Sequence, residues 1–348
     1  MKIRLPGIIA GLGVLFVGLP LGVLVAARVE RMSWAKGPQT QNDYRIEGPF
    51  THDNLSVFLM HGKDNGKSFV TLQEALDQKK VVVHETGSVN ELSIENVSGE
   101  EVYVQSGDIV KGGQQDRMLV VDLIVPPHSG KIPIAAFCVE HGRWSQRGGE
   151  AVRVFSTSND SIATKELKLA AKAEGSQTEV WRQVGAAQAK LSENVRTPVN
   201  SDASPSSFQL AIENKEVQKS TDGYIKALSR IIDGKSDVIG YAFAINGKIN
   251  SADVYASHAL FKRLWPKLLK SSAIEAVADL QRDGQFESPT KEDVRSFLAD
   301  SEAGNEKEKD VTGRIRLVTR ESDENIFFET RDRAKPGAWV HRNYIKKD

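Results

Sequence analysis

The chain has 348 residues, of which 40% are hydrophobic and 26% are charged, the balance of a folded globular protein. Lys and Arg together number 46, as do Asp and Glu, so no net charge recruits nucleic acid, and a nucleic-acid partner is not predicted. The single cysteine, Cys138, excludes an intrachain disulfide and any multi-cysteine metal site.

An apolar segment opens the chain. Residues 5–27 contain no charged side chain, and Lys2 and Arg4 precede them. About 20 helical residues span a bilayer core, and preceding positive residues keep the N-terminus cytoplasmic. We therefore expect residues 1–27 to be a transmembrane anchor that contacts the lipid bilayer through residues 5–27 and leaves the rest of the chain extracytoplasmic. The alternative is a cleaved signal peptide and a secreted or periplasmic protein, although the apolar run exceeds the usual ~7–15 residues.

Residues 28–50 lack periodicity and are predicted to be a tether to one α+β domain over residues 51–348. The first part of that domain, residues 51–155, contains short apolar or alternating runs separated by Gly, Pro, Ser or Asn, a pattern typical of strands. These runs cover residues 54–60, 81–83, 90–94, 101–104, 118–125 and 132–139. Their spacing predicts a β-sandwich or a barrel-like layer.

Helices and a hairpin are predicted for the second part, residues 156–348. The apolar spacing becomes helical near residue 160, is interrupted by a polar loop at 197–207, and resumes over 209–232. Asn246-Gly247 predicts a type I′ turn joining two strands over residues 238–249, and Ser257 can cap the helix that follows. The charged run at 302–310 is predicted to be a solvated loop. Strands are predicted at 314–318 and 325–329.

Residues 107–117 form a glycine-rich, charged segment between two predicted strands. Gly112 and Gly113 permit backbone conformations in which amide N–H groups converge on an anion, and Lys111 and Arg117 can supply countercharge. The segment is not a phosphate-binding loop, because no Gly-Lys-Ser/Thr opens a helix here. The alternative is a bulged turn in which the two aspartates of the segment pair with these basic residues.

A second polar cluster closes the apolar run that ends near Cys138. Glu140, Arg143 and Trp144 follow within six residues, and strand ends are where rigid scaffolds present functional side chains. The alternative is a structural pair of Arg143 with Glu140, with Trp144 capping the core. For Cys138 itself, burial is favoured over nucleophilic catalysis.

Several acids can bind a hard cation or act as general acids and bases, while solvated or salt-bridged acids are the alternative for each. The seven histidines include no His-x-His pair, so no transition-metal site is predicted and no cofactor is assigned. The candidate ligand-binding residues are Glu85, Glu91, Asp108, Lys111, Gln115, Asp116, Arg117, Glu140, Arg143 and Trp144. We expect most of them to surround one cleft, with a direct contact between Arg117 and Glu140.

Taken together, the runs at 89–92, 107–117, 125–127 and 137–144, with Val180-Trp181 further on, resemble the bacterial ARG and rhodanese-phosphatase-superfamily-associated protein domain family. Residues 239–265 also resemble the later half of that family, so the similarity covers about residues 54–276. The family's name records an association with ADP-ribosylglycohydrolase and phosphatase-type domains. That association implies at most an ADP-ribose-like or phosphorylated ligand, and the resemblance supplies no catalytic residues.

Two functions remain open at this point. The first is an extracytoplasmic, membrane-anchored module that binds a small polar or anionic ligand. The second is a hydrolase acting on a phosphate- or ribose-containing substrate, with Glu140 or Asp116 as general base. The sequence shows no recognisable nucleophile or metal triad, and therefore does not decide between binding and catalysis.

Overall fold

A computed structural model describes residues 44–347 apart from residues 66, 152 and 336, and gives only the backbone for residues 157–160. The predicted anchor and residues 28–43 of the predicted tether lie outside the described residues. Within the described part of the chain, no helix combines the length and the apolar character needed to cross a membrane.

The first half of the described chain is mainly β-structure. In chain order its elements are β1 (Arg45–His52), β2 (Leu55–His61), β3 (Val70–Thr71), α1 (Leu72–Asp77), β4 (Val81–Glu85), β5 (Glu91–Asn96), β6 (Val102–Val104), β7 (Asp108–Gly112), β8 (Arg117–Leu119), β9 (Leu123–Val125), β10 (Gly130–Cys138) and β11 (Phe155–Ile162). The strands predicted between residues 54 and 139 are confirmed, with the run at 118–125 divided into β8 and β9.

The second half alternates helices with further strands. Its elements are α2 (Lys165–Lys168) continued by a π-helical turn (Leu169–Ala173), α3 (Gln177–Val195), α4 (Phe208–Ile212), α5 (Lys215–Leu228) continued by a 3-10 turn (Ser229–Ile232), β12 (Val238–Ile245), β13 (Lys248–Tyr255), α6 (His258–Ala278), α7 (Lys291–Glu302), β14 (Asn305–Asp310), β15 (Ile315–Glu321), β16 (Asn325–Asp332) and β17 (Trp339–Lys346). The predicted hairpin is confirmed, because Asn246 and Gly247 join β12 to β13 with positive φ angles of 51° and 74°.

Three sheets organise these strands. The largest has the order β1-β2-β12-β13-β17-β16-β15-β14, a second has the order β11-β7-β8-β10-β5-β4, and β3-β6-β9 form a third. All residues of β2 are buried, as expected for a strand that is covered on both faces and paired on both edges. Because β2 pairs with β12, the largest sheet joins the predicted β-rich part at 51–155 to the part at 156–348. The mixed α+β class is confirmed, with a barrel-like, nearly closed sheet.

Two segments differ from their predictions. Residues 45–50, assigned to the tether, lie in β1, which pairs with β2 and whose Ile46 is buried. Residues 305–310, predicted to be a solvated loop, form β14 at the edge of the largest sheet. All six residues of β14 are exposed, so the sequence of this strand has no apolar periodicity from which it could be predicted. Its alternate acids, Glu306 and Glu308, pair instead with arginines on β15 and β16.

Apolar side chains from all three sheets and from the helices meet in one large core. It includes Leu92 of β5, Val104 of β6, Leu191 of α3 and Phe261 of α6, all buried. At about 25 cal/mol per Å² of apolar surface removed from water, such burial is the main stabilising term. This core packs β10 against α3, and β10 pairs with β8, which pairs with β7. The β7–β8 turn and the chain that follows β10 are thereby held in place.

Candidate functional site

The two polar clusters of the sequence meet because β8 lies between β7 and β10. Val110 of β7 and Cys138 of β10 are both register partners of Arg117 on β8. The β7–β8 turn and the chain that leaves β10 therefore lie together, at the same end of these neighbouring strands. Gly112 and Gly113 adopt φ angles of 117° and 56°, which glycine tolerates at low cost and which tighten the turn.

Asp116 lies buried in the β7–β8 turn, and both oxygens of its carboxylate are hydrogen-bonded. Arg147 donates to both Oδ1 and Oδ2 at 2.9 Å each. The amide of Gly112 donates to Oδ1 at 3.0 Å, and the Ser207 hydroxyl donates to Oδ2 at 2.9 Å. Burial raises the pKa of Asp116, and the hydrogen bonds from Arg147 only partly oppose that rise. Each oxygen thus accepts two hydrogen bonds, which leaves little capacity for a further partner.

Glu140, also buried, is satisfied in the same way. Arg143 Nε donates to Oε1 at 2.7 Å and its NH2 group donates to Oε2 at 2.8 Å. Oε1 also accepts from Arg147 at 3.3 Å and Oε2 from the Asp116 amide at 3.0 Å. Burial acts to raise the pKa of Glu140, but the hydrogen bonds from Arg143 and Ser204 keep it below its usual value. The alternative of an Arg143 pair with Glu140 is the one observed, and the expected contact with Arg117 is replaced by it.

Arg117 is the least satisfied charged group of the site. Its side chain is 0% exposed, and one guanidinium nitrogen donates to the Gln115 carbonyl at 2.9 Å. Its Nε and NH2 atoms are buried, and no described residue accepts a hydrogen bond from them. Among the described carboxylates, Glu85 comes within 3.7 Å, from its Oε2 to NH2. A buried donor left in this state costs about 1–3 kcal/mol. The guanidinium is therefore poised for an acceptor.

Trp144 covers this guanidinium from the solvent side. Its ring centroid lies 5.6 Å from Arg117 Cζ, within the range of a cation–π contact. Trp144 is 47% exposed, so it does not cap the core as the alternative interpretation expected. The indole therefore offers an exposed surface beside the buried guanidinium.

Glu85 reaches the same place from β4, the far edge strand of the sheet. Its Oε2 accepts from the Gln114 amide at 3.3 Å, and its Oε1 accepts from the Gly87 amide at 3.2 Å. A Cβ on Gly113 would lie only 3.0 Å from Glu85 Oε2 and 2.3 Å from Phe155 Cζ. Glycine at position 113 is thus required for the turn to approach Glu85.

The remaining candidates lie apart from Arg117. Asp108 occupies the opposite end of β7, where its carboxylate lies 2.6 Å from Lys267 Nζ. Lys111 pairs with Glu213 at 2.7 Å and lines an adjacent cavity of about 430 Å³. Glu91 is exposed. The structure therefore brings together Glu85, Gln115, Asp116, Arg117, Glu140, Arg143 and Trp144, and separates Glu91 and Asp108 from them. Lys111 lies at the periphery, where its Nζ is 4.0 Å from Glu150, a partner of Arg147.

A family model for the ARG and Rhodanese-Phosphatase-superfamily-associated Protein domain, ARPP-1, matches residues 43–345. The chain belongs to this family. The match extends beyond residues 54–276, where the sequence resemblance was recognised, and begins just before β1. Neither curated proteins nor solved structures give a match to the chain.

Three residues of the ARPP-1 site, Arg147, Glu150 and Ser207, were not predicted from the sequence. Arg147 links Asp116 to Glu140, and its NH2 group also donates to Glu150 at 3.0 Å. The run from residue 145 to 150 carries a basic and an acidic residue around two glycines, which is the signal that could have extended the cluster. Ser207 is the N-cap of α4, and no local pattern connects it with Asp116, 91 residues away.

Cys138 of the ARPP-1 domain is buried, as favoured from the sequence. Burial raises the pKa of its thiol to about 11, with Arg117 opposing that rise, so the reactive thiolate is scarce at neutral pH. The Gln177 side chain bonds both the amide and the carbonyl of Cys138 at 2.8 Å, which fixes the end of β10 to α3. Among the residues that the structure describes, no group of three or more His, Cys, Asp or Glu side chains is arranged to hold a metal ion.

Proposed function

We propose that the ARPP-1 domain is a binding module for a small anionic ligand, and that residues 1–27 place it at the outer face of a membrane. The observation that carries the binding proposal is the buried Arg117 guanidinium, whose Nε and NH2 atoms find no hydrogen-bond acceptor in the part of the chain that the structure describes. A carboxylate or phosphate oxyanion would satisfy both nitrogens with a bidentate, charge-assisted contact. The membrane placement rests on the uncharged run at 5–27 alone.

The surroundings of Arg117 favour exchange of a ligand over a permanent internal partner. Glu85, 3.7 Å away, is close enough to lower the energy of the buried cation but too far for a hydrogen bond. Trp144 supplies a flat, exposed surface above the guanidinium. A ligand that combines an oxyanion with a sugar or ring could therefore place the anion on Arg117 and the ring against Trp144.

The alternative of a hydrolase receives less support. A general base needs an oxygen with a free lone pair within reach of its substrate. The two acids proposed for that role, Asp116 and Glu140, each accept at least four hydrogen bonds and hold the loops in place. Their arrangement favours a rigid frame for Arg117 over proton transfer.

Calorimetric titration of the full-length chain in detergent with acetate, phosphate, pyrophosphate and ADP tests this proposal. Arg117→Gln should remove one binding site, and Trp144→Ala should weaken that site about tenfold if the ring contacts the ligand. Arg182→Gln is the matched control, because the Arg182 side chain is 65% exposed and its ion pair is with Glu179 on the same helix. Unchanged titrations of a folded Arg117→Gln variant would contradict the proposal.

A further inference from the structure

Far from Arg117, the outer strands of the largest sheet carry a second concentration of arginines. A cavity of about 450 Å³ opens between β15, β16 and β17 and the turn before β17. Five arginines line it, at positions 316, 320, 331, 333 and 342, together with Phe327 and Trp339. Three acids also line it, and one of these acids, Asp332, is bound to Arg314 outside the lining. Acids of β14 contact four of the five arginines, at positions 316, 320, 331 and 333.

The register of the sheet places like charges opposite each other. Arg316 of β15 is the direct cross-strand partner of Arg331 on β16. Such a pair is destabilising unless an anion lies between the two side chains. Here the anion is Glu308 of β14, whose carboxylate lies 3.0 Å from NH1 of both Arg316 and Arg331.

Aromatic rings lie beside the guanidinium groups. Arg342 Cζ is 4.2 Å from the Trp339 ring centroid, and Arg320 Cζ is 5.6 Å from that of Phe327. These stacks hold the guanidinium planes in place and lower the entropy lost when an oxyanion is bound. The cavity thus combines oriented bidentate donors with room for a ligand of small-molecule size.

We propose that this cavity is a second ligand site, which takes a soluble phosphate-bearing compound whose oxyanion replaces the Glu308 carboxylate between Arg316 and Arg331. Glu308 belongs to an edge strand whose six residues are all exposed, so its side chain can swing into solvent without opening the core. A phosphate carries more charge than a carboxylate and offers three oxygens to the surrounding guanidinium groups. Glu308 would then act as an internal competitor that sets the affinity.

The proposal makes opposite predictions for the two partners of the same ion pair. Glu308→Gln removes the competing charge at nearly constant shape, and should tighten pyrophosphate binding several-fold. Arg331→Gln removes a donor, and should weaken the binding about tenfold or more, as the loss of a charge-assisted hydrogen bond does. A purely structural ladder of ion pairs would give no gain of affinity in either variant.

The measurement is a calorimetric titration of the full-length chain with pyrophosphate and with phosphate, at an ionic strength held constant with chloride. It is made in the Arg117→Gln background, so that the site proposed at Arg117 cannot contribute and failure at one site is distinguishable from failure at the other. Arg230→Gln serves as a matched control, because that side chain is 87% exposed and its ion pair is with Asp233, three residues away.

Arg333→Gln is a second variant of the cavity, which tests the proposal even if Arg331→Gln does not fold. Arg333 lines the cavity, is 42% exposed, and pairs with Asp310 at 3.1 Å. This variant should fold normally and weaken pyrophosphate about two- to threefold, a loss expected for one partly screened charge. Unchanged affinity in both Arg333→Gln and Glu308→Gln would overturn the proposal, as would weaker binding in Glu308→Gln.

Discussion

Arg147 donates to both carboxylate oxygens of Asp116 at 2.9 Å, and neither side chain is accessible to solvent beyond a few per cent. Replacing Arg147 by Met would leave the Asp116 carboxylate buried without its main countercharge. Removal of one partner from a buried ion pair typically costs about 3–5 kcal/mol. We expect Arg147→Met to lower the free energy of unfolding by that amount in urea titrations.

The control for Arg147→Met is Arg182→Met on the exposed face of α3. Arg182 also forms a two-point contact with a carboxylate, Glu179, but in solvent, where such pairs contribute less than about 1 kcal/mol. The double variant Asp116→Asn with Arg147→Met should recover part of the loss, because it removes the buried negative charge. Equal stability of Arg147→Met and the native chain would show that Asp116 is neutral in the fold.

A second group of buried charges predicts how the stability of the fold depends on pH. His341 lies between Asp122 and Asp253, with each ring nitrogen 2.9 Å from a carboxylate oxygen. Burial acts to lower the pKa of His341, but the two carboxylates raise it above the ordinary value of 6.5. A raised pKa in the fold means that the stabilisation is fully present below pH 6.5 and is lost as the pH rises through the folded-state pKa.

His341→Gln should therefore lower the free energy of unfolding by about 3–5 kcal/mol near pH 6. The difference in this free energy between the variant and the native chain should become smaller as the pH rises. Urea titrations of both proteins between about pH 5.5 and 8.5 measure that difference directly. Lys172, whose pKa burial lowers to about 8, faces the same aspartates and changes stability in the opposite sense, but it is present in both proteins. A difference that widens with pH would mean that His341 is neutral.

Local sequence patterns predict some elements and contacts of this fold and miss others. The strands of the first half were predictable because they are short apolar runs, as in β2, or alternate with a period of two, as in β5. The pair of Glu140 with Arg143 was predictable because the residues are three apart. β14 was not predictable, since all its residues are polar and its stability depends on arginines of other strands.

The site itself was predictable only in its local parts. Asp108 was grouped with Arg117 because they are close in sequence, yet its partner is Lys267, 159 residues away. A periodic pattern carries no information about such distant pairs, which depend on how the sheets and helices pack.

Cys138 offers a chemical test of burial at the site edge. Its thiol is inaccessible and its pKa is raised to about 11. We expect native protein at pH 8 to react with a disulfide reagent at least about a hundredfold more slowly than protein unfolded in guanidinium, since the thiolate is the nucleophile. Absorbance of the released thiolate measures both rates. Comparable rates would place Cys138 in a solvent-accessible, reactive position.

Gly113 tests the approach of the turn to Glu85. Gly113→Ala would put a methyl group 2.3 Å from Phe155 Cζ at a φ of 56°, so it adds a clash to the cost of a left-handed alanine. Gly87→Ala is matched in backbone, with a φ of 78°, but a Cβ there meets nothing within 4 Å. We expect about 1 kcal/mol of destabilisation for Gly87→Ala and 2–4 kcal/mol for Gly113→Ala in thermal unfolding. Equal losses would contradict the close approach.

The proposed membrane topology can be tested without disturbing the domain. A reporter fused after residue 50 would interrupt β1, which begins at Arg45 and pairs with β2, so the fusion point should be residue 41 or the C-terminus. Because the uncharged run at 5–27 follows Lys2 and Arg4, we expect alkaline phosphatase at either point to be active and green fluorescent protein to be dark. Replacing Leu15 and Val17 with arginine should reverse both readouts, since each charge at the centre of the segment costs about 2.5–3.5 kcal/mol of insertion. Fluorescence from the unmodified fusion would place the domain in the cytoplasm.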